Sequence, residues 1–436
     1  MRICHVTDFL PGMHRIAGGA EHAVKRIIEE QASLGLDVQV VTATRDLPGA
    51  DDAGGPAHRR MRRIDRVSPR LSYAIKSLYF PFDPLASRDL RSALREFSPD
   101  VVHFHNLHFC TPTIVRQAKR LGIPTVLSIY DYWLWCPSFM LLTNTGELCE
   151  RGHGAHCVDC VGARRARLLR PLKRRLFAWR KPIFEAVLES IDRVVVLSQA
   201  SKDLLVRHGV EAGRILVVAQ YLWQAAAERA LPAPARPGEL LYVGWIEGRK
   251  GLHVVIEAME ILAAHHPKLR LEVRGRCLAP DYQRRVEDTI RRAGLADRVV
   301  FAGAAGREEL LEAMDRAYLV LVPEQWANMS PVILTEAMAA GRCVLASRVG
   351  GIPEFVEEGR SGLLAERDSP AAFAAQIDWA MHNAERVREM GVAARARAKQ
   401  VFDRDAINRK WVELYRSLTG GDAGSAAHGR QRRGRE

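Results

Sequence analysis

Apolar residues along this chain fall into two interleaved patterns. Short β-branched runs, "RICHVTD", "VQVVTA", "VVHFHN", "PTVLSIY", "RVVVLS" and "ILVVAQ", mark the first half, and "LLYVG", "LRLEVRG", "VVFAG", "YLVLVP" and "CVLAS" mark the second. They are apolar on both faces, as strands covered by helices on either side should be. The stretches between them have the spacing of helices. Strand and helix alternate along the whole chain, which predicts an α/β protein of two doubly wound domains.

The pattern lapses at "QAAAERALPAPARPG", residues 224–238, where alanine, proline and charge replace it. The expected organisation is a first domain over residues 1–223, a linker over 224–238, a second domain over 239–400, a last helix over 401–418 and a disordered tail over 419–436. "RDLPGADDAGGPAHRRMRRIDR", Arg45 to Arg66, reads as a mobile basic loop. Residues 131–188 break the alternation and read as an insertion holding four cysteines and then a basic helix.

Composition agrees with this plan and narrows the partners. A chain of 436 residues is too long for one ordinary core and suits two domains of roughly 200 residues each. Hydrophobic residues at 47% and charged residues at 26% exclude a disordered or fibrous protein. The net charge of +13 favours anionic partners. The opening "MRICHVTDFLPG" reads as a first strand, and no apolar run approaches the roughly 18 residues of a membrane span. A cytoplasmic location is the expectation, with attachment to the inner face of the cell membrane left open.

The richest candidate chemistry lies in "EQWANMSPVILTEAMAAG", Glu324 to Gly341. Ser330 reads as a helix N-cap, Pro331 as the first helical residue and Gly341 as the stop, giving about two and a half turns. A helix start after a parallel strand offers free N–H groups to an anion or a sugar hydroxyl. Glu336 then stands inside an apolar helix, where it either binds a ligand or pairs with a nearby arginine. Earlier, Gly18 and Gly19 precede the first helix, where a backbone can approach a diphosphate closely or simply turn.

Cys136, Cys149, Cys157 and Cys160 are spaced C-x12-C-x7-C-x2-C, with His153 and His156 nearby. Four thiolates can form a closed structural zinc site; reduced structural cysteines are the alternative. In "RRARLLRPLKRRLFAWRKPIFEAVL", Leu168, Leu169, Leu172, Leu176 and Trp179 recur at helical spacing among arginines and lysines. That stripe either lies on an anionic bilayer or packs on the first domain. Arginine runs without interleaved aromatics argue against specific nucleic-acid recognition.

Several blocks together resemble a known family: "GGAEHAVKRI", "LLYVGWIEGRKGLHVVIEAM", "FAGAAGREELLEAMDRAYLVLVPEQW" and "NMSPVILTEAMAAGRCVLASRVGGIPEFVEEGRSGLL" look like family 4 retaining glycosyltransferases. The resemblance implies the GT-B fold, two Rossmann-like domains with a cleft between them, and the donor held mainly by the second. It implies that Glu336 takes the ribose hydroxyls and that Lys250 holds the donor phosphates, stabilising the leaving diphosphate. Gly18 and Gly19 would lie across the cleft from that diphosphate, and the amides of Met329 and Ser330 would face the donor sugar or phosphate. Three positions depart from the family: Asn328 replaces a glutamate, Trp245 an arginine, and Tyr130 a histidine near the reacting carbon. Glu324 and Arg249 are candidates to compensate for the first two; Asp131 either orients the site or caps its loop, and His105 either lines the cleft or is a core histidine.

The implied reaction moves a sugar from a nucleotide-sugar donor to a glycan or lipid-linked acceptor with retention, in cell-surface polysaccharide or glycoconjugate synthesis. No catalytic metal is expected, and the leaving phosphate can take the acceptor's proton. Two alternatives stay open: an epimerase of the same fold, and an inactive scaffold, which the substitutions at Tyr130, Trp245 and Asn328 keep in play.

Overall fold

The computed structural model describes residues 1–11, 18–43, 57–62, 82–107, 111–161, 170–233 and 235–420. Its first sheet contains β1 (Arg2–Thr7), β2 (Asp37–Ala43), β3 (Ala57–Met61), β4 (Val101–Phe104), β5 (Thr125–Ser128), β6 (Arg193–Val196) and β7 (Ile215–Val217), in the order β3-β2-β1-β4-β5-β6-β7. The second contains β8 (Glu239–Val243), β9 (Arg270–Arg274), β10 (Val299–Gly303), β11 (Leu319–Val322), β12 (Val344–Ser347) and β13 (Leu363–Ala365), in the order β10-β9-β8-β11-β12-β13. Neighbouring strands run parallel; Ile3, for example, pairs with Val38 on one side and Val101 on the other. β11 and β12 are buried at every position, as the unbroken apolar runs require of strands with helices on both faces.

In each sheet the strand order reverses beside its first strand, between β1 and β4 and between β8 and β11. A doubly wound sheet leaves a crevice at the carboxyl ends of its strands at such a point. The loops that leave these four strands hold Gly18 and Gly19, His105, Trp245 to Lys250, and Glu324 to Ser330. Topology alone thus gathers most of the candidate residues on one cleft.

Two boundary readings change. The span Arg45 to Arg66, expected as a loop, contains edge strand β3; it pairs in register with β2, with Met61 buried, so the basic residues of "AHRRM" line a sheet edge. The linker starts with a short helix, Gln224–Glu228, and is tied to the second domain by Arg342 donating to the Ala233 carbonyl at 3.2 Å and Arg395 to the Ala227 carbonyl at 2.5 Å. Residues 421–436 of the expected tail, and Leu168 and Leu169 of the basic stripe, lie outside the described residues.

The last helix, Arg404–Thr419, returns to the first domain, where Ile407, Trp411, Leu414 and Tyr415 join its core. Its start is fixed by Asp403, whose carboxylate accepts from the Ala406 N–H at 2.7 Å. Asp403→Ala is expected to lower the unfolding free energy by about 1 kcal/mol in a denaturant titration, the usual worth of such a cap.

Candidate active site

The residues that the sequence nominates for the donor lie on segments where the two domains meet closely. The Gly18 N–H donates to Glu21 at 2.7 Å and opens the helix Gly19–Ser33. A Cβ on Gly19 would stand 2.9 Å from Val332, and one on Gly18 3.3 Å from the Trp245 ring. This glycine pair therefore touches both donor-side loops, and the absence of side chains is what permits it.

The helix that carries Glu336 spans Val332–Ala339 and is shorter than expected. Pro331, not Ser330, occupies the N-cap position, and no side chain caps the first turn. Ser330 is instead held from the first domain by Gln220, whose amide donates to its Oγ at 2.9 Å and its carbonyl at 3.3 Å. The reason is local: Pro331 has an extended ψ of 124°, so the chain enters the helix one residue later. Gly341, with φ of 75°, ends it as expected.

Glu336 meets Arg26 of the first domain at 3.4 Å, with side chains 13% and 15% exposed. Arg26 also donates to the Tyr221 carbonyl at 3.1 Å. Burial pushes the Glu336 carboxyl up to about 7 against the opposing pull of Arg26 and Arg307. Burial likewise pushes Arg26 down, against the opposing pull of Glu336, and Arg26 stays a cation. The arginine pairing considered from the sequence is real. Its partner comes from across the cleft, which places the carboxylate between the domains.

Lys250 donates to Glu324 at 2.5 Å, and the second oxygen of Glu324 accepts from the Trp326 indole at 2.7 Å. Glu324 is thus engaged by Lys250 and Trp326, a different role from relieving Asn328. Arg249 lies over the rings of Trp245 and Trp326 at 5.7 and 5.4 Å and pairs with Glu247 at 2.7 Å. Arg249 thus stands in a cation–π stack with both tryptophans. Asn328 is buried, and its Oδ1 accepts from the Ser330 N–H at 3.2 Å, so it shapes the loop. Met329 is fully buried and packs with Trp326 into the first domain's core, while Tyr132 donates to the Ala327 carbonyl at 2.7 Å.

Tyr130 is buried, with its hydroxyl 3.2 Å from His105 Nδ1, and burial keeps it neutral by raising its pKa. His105 is a fully buried core histidine. Asp131 accepts from the Trp133 N–H at 3.0 Å and from Asn106 at 3.3 Å, a loop-capping role; burial raises it to about 7.

Three contributors escaped the sequence reading. Gly350, with φ of 58°, and Gly351 press on the loop: added Cβ atoms would come within 2.3 Å of the Asn328 carbonyl and 2.0 Å of the Met329 carbonyl. The "GG" within "ASRVGGIPEF" was the available signal. Glu354 caps a helix of the other domain, Gln199–Arg207, by accepting from the N–H groups of Gln199 at 2.7 Å and Ala200 at 2.6 Å. Arg26 had no signal, because its partner lies 310 residues away.

The insertion places its parts differently from the simplest expectations. Cys136, Cys149 and Cys157 are buried and Cys160 half-buried, close enough to influence one another, and burial raises the Cys157 thiol to about 11. Among the described residues, the three-ligand groups with all ligand atoms within 4.8 Å do not include these cysteines. A tetrahedral zinc cage holds its sulfurs roughly 3.8 Å apart. The helix Arg170–Glu189 buries Phe177, Phe184 and Val187, leaving Leu172 and Trp179 54% and 61% exposed. The buried face is therefore not the stripe read from the sequence. A crevice of about 780 Å³ separates the insertion from the second domain, lined by Met140, Thr143, Tyr282 and Arg285. Of the candidate donor residues it shares Arg249.

Comparison with known proteins decides the family. Residues 17–220 match Glycosyltransferase Family 4 and residues 224–397 match Glycosyl transferases group 1. The chain belongs to the group 1, family 4 glycosyltransferases. The two matches leave only the chain ends and Tyr221 to Trp223 uncovered. D-inositol 3-phosphate glycosyltransferase of Corynebacterium urealyticum is 25% identical over 92% of this chain and 91% of its own length. The putative colanic acid biosynthesis glycosyltransferase WcaL of Salmonella typhimurium is 32% identical over 44% of this chain; it and the glycogen synthase of Mycobacterium tuberculosis are matched over about half their length, 48% and 49%. Among solved structures, Anabaena HepE in complex with UDP superposes with a TM-score of 0.69 at 17% identity, covering 96% of this chain and all of that one. Sucrose-phosphate synthase from Thermosynechococcus elongatus gives 0.70 at 22% identity, covering 96% and 98%. These neighbours show the GT-B fold.

Proposed function

We propose that this glycosyltransferase moves a sugar from a nucleoside-diphosphate donor, with retention, to a glycan or lipid-linked acceptor in cell-surface glycoconjugate synthesis. The observation that carries the reading is the convergence of Gly18 and Gly19 on Trp245 and Val332, which sets the first domain against both loops of the second domain's switch point. The neighbouring HepE structures hold UDP and UDP-glucose, which supports a donor of that class here.

In this reading Lys250 holds the diphosphate together with the uncapped start of the helix Val332–Ala339, and Glu336 takes the ribose hydroxyls. Arg249, stacked between tryptophans, adds a second cation beside Lys250. The acceptor oxygen bonds to the anomeric carbon as the bond to the diphosphate breaks, and the acceptor's proton passes to the departing phosphate oxygen. Tyr130 and Asn328 then shape the sugar pocket without taking that proton. Because Trp326 and Met329 of the donor-side loop are buried in the first domain's core, the domains must part for the donor to enter. The exposed Leu172 and Trp179 on a basic helix suit contact with an anionic bilayer.

Thermal stabilisation by UDP-, GDP- and ADP-sugars tests the donor site. At least one donor is expected to raise the melting temperature of the wild type and to do so much less for Glu336→Ala. Equal stabilisation of both would remove Glu336 from the site, and no stabilisation by any donor would favour the inactive-scaffold reading. Zinc on the four cysteines stays a proposal: stoichiometric metal that is lost in Cys157→Ser would support it, and metal-free folded protein would end it.

A further inference from the structure

Three histidines, His5, His103 and His105, are packed together at the centre of the first domain with no exposed surface. Their ring centres lie 4.1 to 5.3 Å apart. Ligand nitrogens within 4.8 Å of one another would admit a metal ion, but each of the six nitrogens already faces a protein partner. Following those partners gives a directed chain.

The Gln31 amide sets the direction. Its Nε2 donates to the Tyr415 hydroxyl at 2.8 Å, so its Oε1, 2.9 Å from His5 Nε2, must accept. His5 is then protonated on Nε2, and its Nδ1 accepts from His105 Nε2 at 2.9 Å. His105 Nδ1 in turn accepts from the Tyr130 hydroxyl at 3.2 Å. On the other branch, Tyr415 spends its proton on His103 Nδ1 at 2.8 Å, and His103 Nε2 donates to the Ser128 hydroxyl at 2.8 Å. The path thus runs one way from Tyr130 to Ser128, and each member between its ends donates one hydrogen bond and accepts one. Burial holds the three imidazoles below their usual pKa, to about 4 for His5, in keeping with the neutral rings that this arrangement requires.

We propose that the chain Tyr130, His105, His5, Gln31, Tyr415, His103 and Ser128 is a positioning device that commits the Tyr130 proton inward, so that its hydroxyl can meet a substrate only as a hydrogen-bond acceptor. Its lone pair is then free to accept from a substrate hydroxyl. Tyr415 comes from the last helix, which thereby becomes part of the site's architecture although it is remote in sequence. His5, His103, His105 and Tyr415 are positioning residues that act through Tyr130.

The chain makes a statement independent of any ligand: all three histidines are the Nε2–H tautomer. Nitrogen-15 spectra of the histidines in the full chain read this directly. Three Nε2–H tautomers that do not titrate through neutral pH are expected; an Nδ1–H tautomer, a titrating member or stoichiometric metal on these rings would overturn the proposal. Tyr415→Phe should disturb His105, which it does not touch, as well as His103, whereas a change confined to His103 would show separate pairs. Asn408→Ala, which removes a bond to Tyr221 from the same helix, should leave all three tautomers unchanged. If Tyr415→Phe fails to fold, the wild-type tautomers still decide.

The kinetic consequence rests on the donor reading above, and the spectra do not, so the two can fail separately. With the sugar nucleotide identified by the thermal screen, Tyr415→Phe should lower kcat about tenfold, the scale of one buried hydrogen bond, with KM for the donor unchanged. An unchanged kcat would remove the positioning role.

Discussion

Replacing Lys250 with methionine is expected to reduce sugar-nucleotide turnover about 10²–10³-fold, the scale of losing one fixed charge at a developing anion. The loss should fall mainly on kcat, because the diphosphate gains negative charge only as the glycosidic bond breaks. The ion pair with Glu324 complicates the experiment in an instructive way. Glu324 has a side chain only 3% exposed, and removing one partner of a buried pair costs about 3–5 kcal/mol because the other charge is stranded. Its second bond, from the Trp326 indole, moderates that penalty. The double variant Lys250→Met/Glu324→Gln should therefore recover much of the stability in a thermal melt and none of the turnover. Recovery of both would mean that Lys250 serves the fold alone.

The second large effect is a pH dependence at Glu336. Its folded carboxyl titrates at about 7 against an ordinary value of 4.5, so the folded state binds the proton more tightly than the unfolded chain. The sign follows: stability contributed by this group is complete below the ordinary value, falls as pH rises through the interval up to about 7, and is constant above it. The interval corresponds to a destabilisation of order 3 kcal/mol at alkaline pH. Glu336→Gln should thus gain stability relative to wild type on going from about pH 5 to about pH 8. Asp131 also titrates at about 7, but it is common to both proteins and cancels in the difference. Ribose hydroxyls that donate to Glu336 favour its ionised form, so UDP binding near neutral pH should release protons from wild type and fewer from the variant. Calorimetry in buffers of different ionisation enthalpy measures this; equal release from both proteins would contradict ribose binding at Glu336.

The fold was legible because parallel strands covered on both faces write themselves as unbroken apolar runs, "YLVLVP" and "CVLAS" among them, and because Gly341 is a clear stop. Edge strand β3 was not legible: an edge in "AHRRM" needs neither alternation nor apolar content on its open side. The helix starts one residue after the expected place because Pro331 is extended, and the partner that Ser330 finds instead, Gln220, comes from the other domain. Side-chain partners in the site were hidden for the same reason. Arg26 with Glu336, Glu354 with the helix Gln199–Arg207, and Tyr415 with Gln31 and His103 all join residues more than a hundred positions apart. The family resemblance singled out Lys250 and Glu336, which lie on the segments after β8 and β11, while what each one touches depends on how the domains close.

The substitutions at Asn328, Trp245 and Tyr130 also look different in three dimensions. Asn328 braces its own loop, Trp245 shares a stack with Arg249, and Tyr130 has a histidine directly behind it. Each change is accompanied by a local partner, which fits a rebuilt site better than a decayed one.

A crystal structure of the protein with UDP is the most direct test of where the donor sits. The predicted result is a diphosphate between Lys250 and the start of the helix Val332–Ala339, with both ribose hydroxyls on the Glu336 carboxylate and Arg26 moved aside. A nucleotide bound instead in the crevice beside Tyr282 and Arg285, with Glu336 still paired to Arg26, would contradict it.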